Sequence, residues 1–243
     1  MPKYRVLIPT CDHYLAVLRP LAHLYNKYWL PNPEVIIGGF KEPDFDLPPN
    51  FTFISLGDMK DYPLDKWSDQ LIKLVESVED ETFILSMDDM LPVGPVDAEA
   101  VQILFDYMVQ FQYVARMDLT SDRQFAWGSE DYGVVSRLHL VKSHPDSQYT
   151  VSMMPCAWNR RHFFNIMESG KNPWQVELQL SPKMGKVMKD YGTLVLGTKD
   201  LPVKVTLAMR GGDAGKLACK IPFELGEENR EEMKELGLLE PWL

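Results

Sequence analysis

Cysteine is scarce: Cys11, Cys156 and Cys219 are the only three in 243 residues, and no two stand as Cys-x-x-Cys. That spacing excludes a disulfide framework and a zinc ribbon, and it fits a reducing, cytoplasmic setting. Histidine is also sparse. His13, His23, His139, His144 and His162 show no His-Glu-x-x-His pattern, so they read as structural or surface groups. No apolar run approaches the roughly 18 residues that a membrane span needs. The N-terminus MPKYRVLIPT lacks the apolar core of a signal peptide. There is no internal repeat and no low-complexity stretch. Positive charge is short as well: 25 Lys and Arg face 35 Asp and Glu, a formal net charge of -10. Phosphate neutralisation drives most nucleic-acid affinity, so a general nucleic-acid binder is disfavoured.

What is present is ordinary for a globular protein, with 45% hydrophobic and 25% charged residues. The length suits one large α/β domain with a sizeable core. Charge is uneven along it. From Ser181 to Lys220 the local balance is +5, and from Ile221 to the end it is -5. The acidic end reads as a solvated helix.

Periodicity predicts alternating elements. Tyr4 to Pro9 is a buried strand, followed by a polar turn at Thr10, Cys11 and Asp12 that can cap the next helix. His13 to Leu18 reads as helical, Pro20 suits the first position of a second helix, and its apolar face continues to Trp29 before Pro31 and Pro33 end it. Glu34 to Ile37, closed by Gly38 and Gly39, and Phe51 to Leu56 are strands. Leu71, Leu74, Val75 and Val78 mark an amphipathic helix with Ser68 or Asp69 as its N-cap. Phe83 to Ser86 is the next strand. Val96 to Phe111 is a helix, and Tyr113 to Met117 a strand. Ser121 to Gly133 reads as loop, Val134 to Val141 and Thr150 to Met154 as strands, and Arg161 to Met167 as helix. A further helix starts near Trp174. Thr193 to Leu196 and Val203 to Ala208 are short strands, and Glu227 to Leu236 is a charged helix. The expected class is α/β: a mostly parallel sheet with right-handed crossovers, flanked by helices.

The stretch FILSMDDMLPVGPVD, Phe83 to Asp97, organises the rest. A short apolar strand delivers two adjacent carboxylates, Asp88 and Asp89, to its C-terminal end. Pro92, Gly94 and Pro95 then stop regular structure. Ligands of open α/β sheets bind outside the carboxyl ends of the strands. Paired carboxylates there suit a hard divalent cation, which commonly brings phosphates with it. The competing reading is that both aspartates only serve a turn.

Three motifs in order carry a resemblance: MDDMLPVGPVD, MMPCAWNRRHFF and NPWQVE. The N-terminal PTCDHY and the helix ending KYW add to it. Up to about Arg210 the chain resembles bacterial and phage GT-A glycosyltransferases related to capsule and polysaccharide enzymes. The resemblance implies a GT-A-like, Rossmann-like nucleotide-binding fold with a mixed, mostly parallel sheet flanked by helices, a nucleotide-diphosphate sugar donor, a glycan or other hydroxyl acceptor, and Mn²⁺ or Mg²⁺. It makes Asp89 the metal ligand, with Asp88 on the donor ribose or on the metal and its waters. Met87 stands where the usual Asp-x-Asp spelling has its first acid. On this reading 1–243 is a single domain. Residues 1–117 form the nucleotide-sugar half, 118–220 the acceptor half, and 221–243 the acidic C-terminal helix.

Glycosyl transfer also requires the acceptor hydroxyl to lose a proton, and a carboxylate within hydrogen-bond reach can take it. Glu177, held near a helix start by Pro173 and Trp174, is the candidate; otherwise it merely favours the positive helix end. Thr10 and Asp12 are candidates for the base or ribose of the nucleotide. Arg116 is a candidate phosphate contact or a structural ion pair. Arg210 and Lys216 flank Gly211 and Gly212 and could close over the diphosphate. Trp67 and Trp158 read as core residues that could instead stack on a sugar. Two other functions stay open: a phage-type DNA glycosyltransferase supported only by the basic segment, and a non-catalytic nucleotide-binding or scaffold protein.

Overall fold

The computed structural model describes residues 2–125, 128–208 and 225–239. The expected strands form because Val, Ile, Leu and Phe cluster in short runs buried on both sides, as in a sheet covered by helices on each face. β1 (Arg5–Pro9), β2 (Glu34–Gly39), β3 (Phe51–Ser55) and β4 (Thr82–Leu85) pair in the order β3-β2-β1-β4, all parallel. Helix α1 (Leu18–Tyr28) lies between β1 and β2 in sequence, and α2 (Trp67–Glu76) between β3 and β4. The strand order therefore grows outward from β1 and then restarts on its other side at β4. This reversal is a topological switch point, where crevices open at the carboxyl ends of strands.

Beyond β4 the nine-stranded sheet continues through β9 (Cys156–Asn159), β6 (Val114–Asp118), β10 (Leu194–Thr198), β8 (Leu138–Ser143) and β7 (Ser129–Val135). β9 and β8 run against the other seven strands, so the sheet is mixed and mostly parallel. A strand from the second half of the chain thus inserts between two strands of the first. β5 (Met90–Pro92) leaves the sheet and pairs with β11 (Val205–Leu207) as a separate two-stranded unit.

Two cores flank the sheet. Val6, Ile8, Ile37 and Ile84 pack under α1 and α3 (Ala98–Gln110). Leu7, Phe83, Leu85 and Trp158 pack under α2, α5 (Arg160–Ile166) and α6 (Pro173–Tyr191). Adjacent residues of β1 face opposite cores, which is why its apolar run does not alternate.

Several expectations need correction. Residues 121–133 are not loop: α4 (Asp122–Phe125) and the start of β7 occupy them. β7 is an exposed edge strand, so its residues carry no burial pattern to read. The single strand expected over 134–141 is a hairpin, turned at Ser136, whose φ is 52°. Residues 150–154 form no strand. Their backbone is taken up by α6: Val151 N–H donates to Ser181 Oγ at 3.0 Å and Met153 N–H to Glu177 Oε1 at 2.8 Å. Neither Ser68 nor Asp69 caps α2. Asp69 accepts from Ser169 Oγ and Gly170 N–H, while Ser68 Oγ accepts from Lys171 N–H, fastening a loop from a hundred residues away. The acidic final helix α7 (Glu227–Glu235) is docked rather than merely solvated. Met233 is buried in the core, and Glu232 meets Lys27 and His23 of α1. Among the described residues no helix is long and apolar enough to cross a membrane.

Candidate functional site

The acid pair lies just past β4, and β1 ends beside it. Thr10, the residue after β1, donates its hydroxyl to Asp88 Oδ2 at 2.7 Å. This bond crosses the switch point. Thr10 is itself fixed from behind. Its N–H donates to the Gly38 carbonyl at 2.8 Å, and its carbonyl accepts from Gln70 Nε2 at 2.5 Å. Gly39 is required here, because a Cβ on it would lie 2.7 Å from Thr10 Cγ2. Neither Thr10 nor Asp12 caps the 3-10 turn that follows, so the capping expectation fails. Thr10 serves Asp88, and Asp12 Oδ1 accepts from Lys41 N–H at 3.1 Å.

Burial, and then the neighbouring Asp89, push the Asp88 carboxyl up to about 8, with the Thr10 bond opposing. Burial pushes Asp89 up to about 6. Burial and both aspartates push the Tyr14 phenol up to about 12, which places its ring beside the pair. None of the described groups that set either aspartate's protonation is cationic. Both residues are half-buried by solvent accessibility, and two crowded carboxylates without a cation among the described groups are costly, a cost that a divalent ion would relieve. Among the described residues no third His, Cys, Asp or Glu joins them in a ligand cluster. Two carboxylates still suit Mg²⁺ or Mn²⁺, because such ions keep waters and take substrate phosphates as remaining ligands. The donor set fits the expected metal.

A cleft of about 490 Å³ opens past β1 and β2, lined by Asp12, His13, Arg19, Lys41, Asp44 and Phe45 among others. It brings Asp12 together with cations the sequence gave no reason to single out. Arg19 stands over the Phe45 ring at 5.3 Å from its centroid. The signal was weak because the loop 40–48 approaches α1 only in three dimensions.

Glu177 occupies the second turn of α6. The helix starts with a capping box between Asn172 and Gln175 and with Pro173 at its first position. Burial raises its carboxyl above the usual glutamate value, although the Met153 N–H and the Arg116 guanidinium oppose this. Met153 precedes β9, whose Cys156 is in register with Leu85 of β4. Glu177 and the acid pair therefore both lie beyond the carboxyl edge of β4. Among the described residues no hydrogen bond or ion pair joins them.

Arg116 is fully buried, paired with Asp118 and set over the Trp158 ring at 5.8 Å. It takes the structural of its two expected roles. Asp118 also pairs with the fully buried Arg123, which in turn pairs with Asp122. This ionic layer under Glu177 was not anticipated. Trp158 is core, and Trp67 packs partly buried against the same core. Arg210, Lys216 and their glycine loop lie outside the described residues. Of the basic segment, Lys183 pairs with Glu168, Lys189 with Asp146 and Lys199 with Asp131. Three of the segment's eight Lys and Arg are thus held in ion pairs with acids.

No protein-family model matches the sequence, and no curated protein is similar to it at a significant level. Among solved structures, residues 1–349 of S. aureus TarS align with a TM-score of 0.49 and 12% identity, over 99% of this chain and 70% of that one. A CMP:2-keto-3-deoxy-manno-octonic acid synthetase complexed with CTP aligns with a TM-score of 0.41 and 11% identity, over 80% of this chain and 89% of that one. Such identities carry no chemistry across, so the site is read from its own residues.

Proposed function

We propose that the chain is a metal-dependent glycosyltransferase of GT-A type, moving a sugar from a nucleotide-diphosphate donor to an acceptor hydroxyl in glycan synthesis. The carrying observation is the Thr10–Asp88 hydrogen bond, which fixes one of two adjacent carboxylates at the switch point, with no cation among the described groups that set their protonation. The cleft of Asp12, Arg19 and Lys41 beside it takes the nucleoside. Asp89 and Asp88 would hold Mn²⁺ or Mg²⁺, which would supply charge stabilisation to the leaving diphosphate. Thr10 orients Asp88. Asp12, anchored on Lys41 N–H, presents its second oxygen to the ribose or base.

Glu177 is the general base. It takes the acceptor O–H proton as that oxygen bonds to the sugar's C1 and the C1–O bond to the diphosphate breaks. A carboxylate with a raised pKa is a stronger base, and burial supplies that rise. Arg116 enters as the buried cation beneath Glu177 that keeps it ionisable. Ala208 N–H donates to the Asp89 carbonyl at 2.5 Å. Arg210 and Lys216, as the flanks of the Gly211–Gly212 stretch, contact the diphosphate. The described cysteines, Cys11 and Cys156, are free thiols, which suits a cytoplasmic setting.

Thermal denaturation with UDP- and GDP-sugars tests the reading, in Mn²⁺ and again in EDTA. A ligand at a hundred times its Kd stabilises by about 2.7 kcal/mol. A rise in midpoint that needs the metal is expected. No rise with any donor in Mn²⁺ would overturn the reading and leave a scaffold protein.

A further inference from the structure

We infer that the groove between α6 and residues 145–149 is a saccharide-binding site, holding acceptor rings beyond the one that reacts. The word acceptor rests on the glycosyl-transfer reading above; the binding of sugar does not. The groove encloses about 550 Å³, with Leu178, Pro182, Lys186 and Lys189 on one wall and Gln148 and Tyr149 on the other.

The groove is shaped by two local exceptions. Gly185 sits inside α6, where glycine costs about 1 kcal/mol relative to alanine. A Cβ there would lie 2.0 Å from the Pro145 carbonyl oxygen, so the glycine is what lets the 145–149 segment lie against the helix. Tyr149 has a φ of 57°, uncommon for any residue with a side chain and more so for a bulky one. Such strain persists only where the surroundings impose it, and it gathers at functional positions. Here the imposing group is Arg123. It is fully buried, donates Nη2 to the Tyr149 carbonyl and Nη1 to Ser143 Oγ, and is paired with Asp118 and Asp122. A buried ionic layer thus holds one surface tyrosine, 39% exposed as a residue, in a strained backbone conformation.

The apolar strip continues along α6. Trp174 is 54% exposed and Leu178 56%, and with Pro182 they recur every fourth residue along one helix face. Trp174 is three residues before Glu177 and Leu178 one after it, so the strip leads toward the proposed base. Polar groups lie between the flat ones. Pro182 has no N–H, which leaves the Leu178 carbonyl without its helical donor. Gln148 and Lys186 add an amide and an ammonium. Lys189 is neutralised by Asp146 at 2.5 Å, so the groove is not built for a polyanion. Flat aromatic and aliphatic surface with interspersed single donors and acceptors matches a pyranose, which has C–H faces and an equatorial rim of hydroxyls. From Leu178 to Lys189 the helix rises about 16 Å, enough for more than one linked ring.

The test titrates the full chain with tetrasaccharides of β1,4-linked glucose, β1,4-linked N-acetylglucosamine and α1,4-linked glucose, followed by calorimetry and saturation-transfer NMR. At least one binds, and Tyr149→Gly and Leu178→Ala each weaken it tenfold or more. Glycine adopts a φ of 57° freely, so Tyr149→Gly keeps the fold while removing the ring. The nucleotide-sugar thermal shift stays unchanged in both variants. Absence of binding by all three probes overturns the inference, as does binding indifferent to both substitutions. Sedimentation showing a dimer that Leu178→Ala dissolves also overturns it, by giving the strip to a second copy. Saccharide binding without any nucleotide-sugar shift leaves the groove standing and removes the transferase reading instead.

Discussion

Asp88 and Thr10 are 78 residues apart in sequence, and their 2.7 Å hydrogen bond joins the ends of the two strands on which the topology reverses. Replacing Thr10 by valine keeps the shape and deletes the donor. A hydrogen bond to a charged group contributes about 1.5–3 kcal/mol, so Mn²⁺ affinity falls roughly ten- to a hundredfold in Thr10→Val. Titration of free Mn²⁺ by electron paramagnetic resonance reads this directly. Unchanged affinity would detach Thr10 from the site.

Asp89→Asn separates the metal from the fold. Two desolvated carboxylates repel, and burial pushes both upward. Removing one charge leaves metal-free stability equal or higher, while turnover and the metal-dependent nucleotide-sugar shift vanish. Circular dichroism melts with and without Mn²⁺ check both halves. Full turnover in this variant, or turnover unaffected by excess EDTA, contradicts the assigned role.

Glu177 sets a pH dependence of known sign. Burial raises its folded pKa above the unfolded value of about 4.3. Its contribution to stability is therefore intact below that unfolded value and is lost as pH rises through the raised folded one. Glu177→Gln does not titrate. The melting-temperature difference, variant minus wild type, should grow as pH rises from the unfolded value and level off above the raised folded one. A difference that shrinks over that range would mean the Arg116 attraction outweighs burial.

Asp97 carries the opposite sign. It caps α3, accepting the Ala100 N–H at 3.0 Å, and meets Arg137 from the β7–β8 turn. Burial opposes ionisation, but Arg137 and the Ala100 N–H prevail and hold its carboxyl below the ordinary range. Its stabilisation is present above the unfolded pKa of about 3.9 and is lost as pH falls through the lowered folded value. Asp97→Ala costs about 1–2 kcal/mol at neutral pH, mostly the cap, since the pair to Arg137 is solvent-screened. Urea denaturation at pH 7 and at successively more acid pH measures the loss and its decline.

Gly185→Ala puts a methyl group into the Pro145 carbonyl. Overpacking of this kind costs about 1–3 kcal/mol, and the 145–149 wall must move away from α6. Loss of saccharide binding together with stability is expected in the same denaturation and titration experiments. Stability within a few tenths of wild type would show that the close approach is dispensable.

The sequence by itself determined the elements that carry their own signal. β1 and β4 declared themselves as short apolar runs, α2 through Leu71, Leu74 and Val75, and the start of α6 through Pro173 and Trp174. It also put two acids at the end of β4, because strand and turn chemistry are local. Tertiary structure decided the rest. β9 is four residues with no alternation, and only its insertion between β4 and β6 makes it a strand. β7 at the sheet edge buries too little to show a pattern. Arg116 looks like any strand-end cation until Asp118, Trp158 and α6 enclose it. Local periodicity records which face of an element is buried. It does not record which distant chain buries it, and the Thr10–Asp88 bond, the Arg123 layer and the Tyr149 groove are all made between segments that meet only after folding.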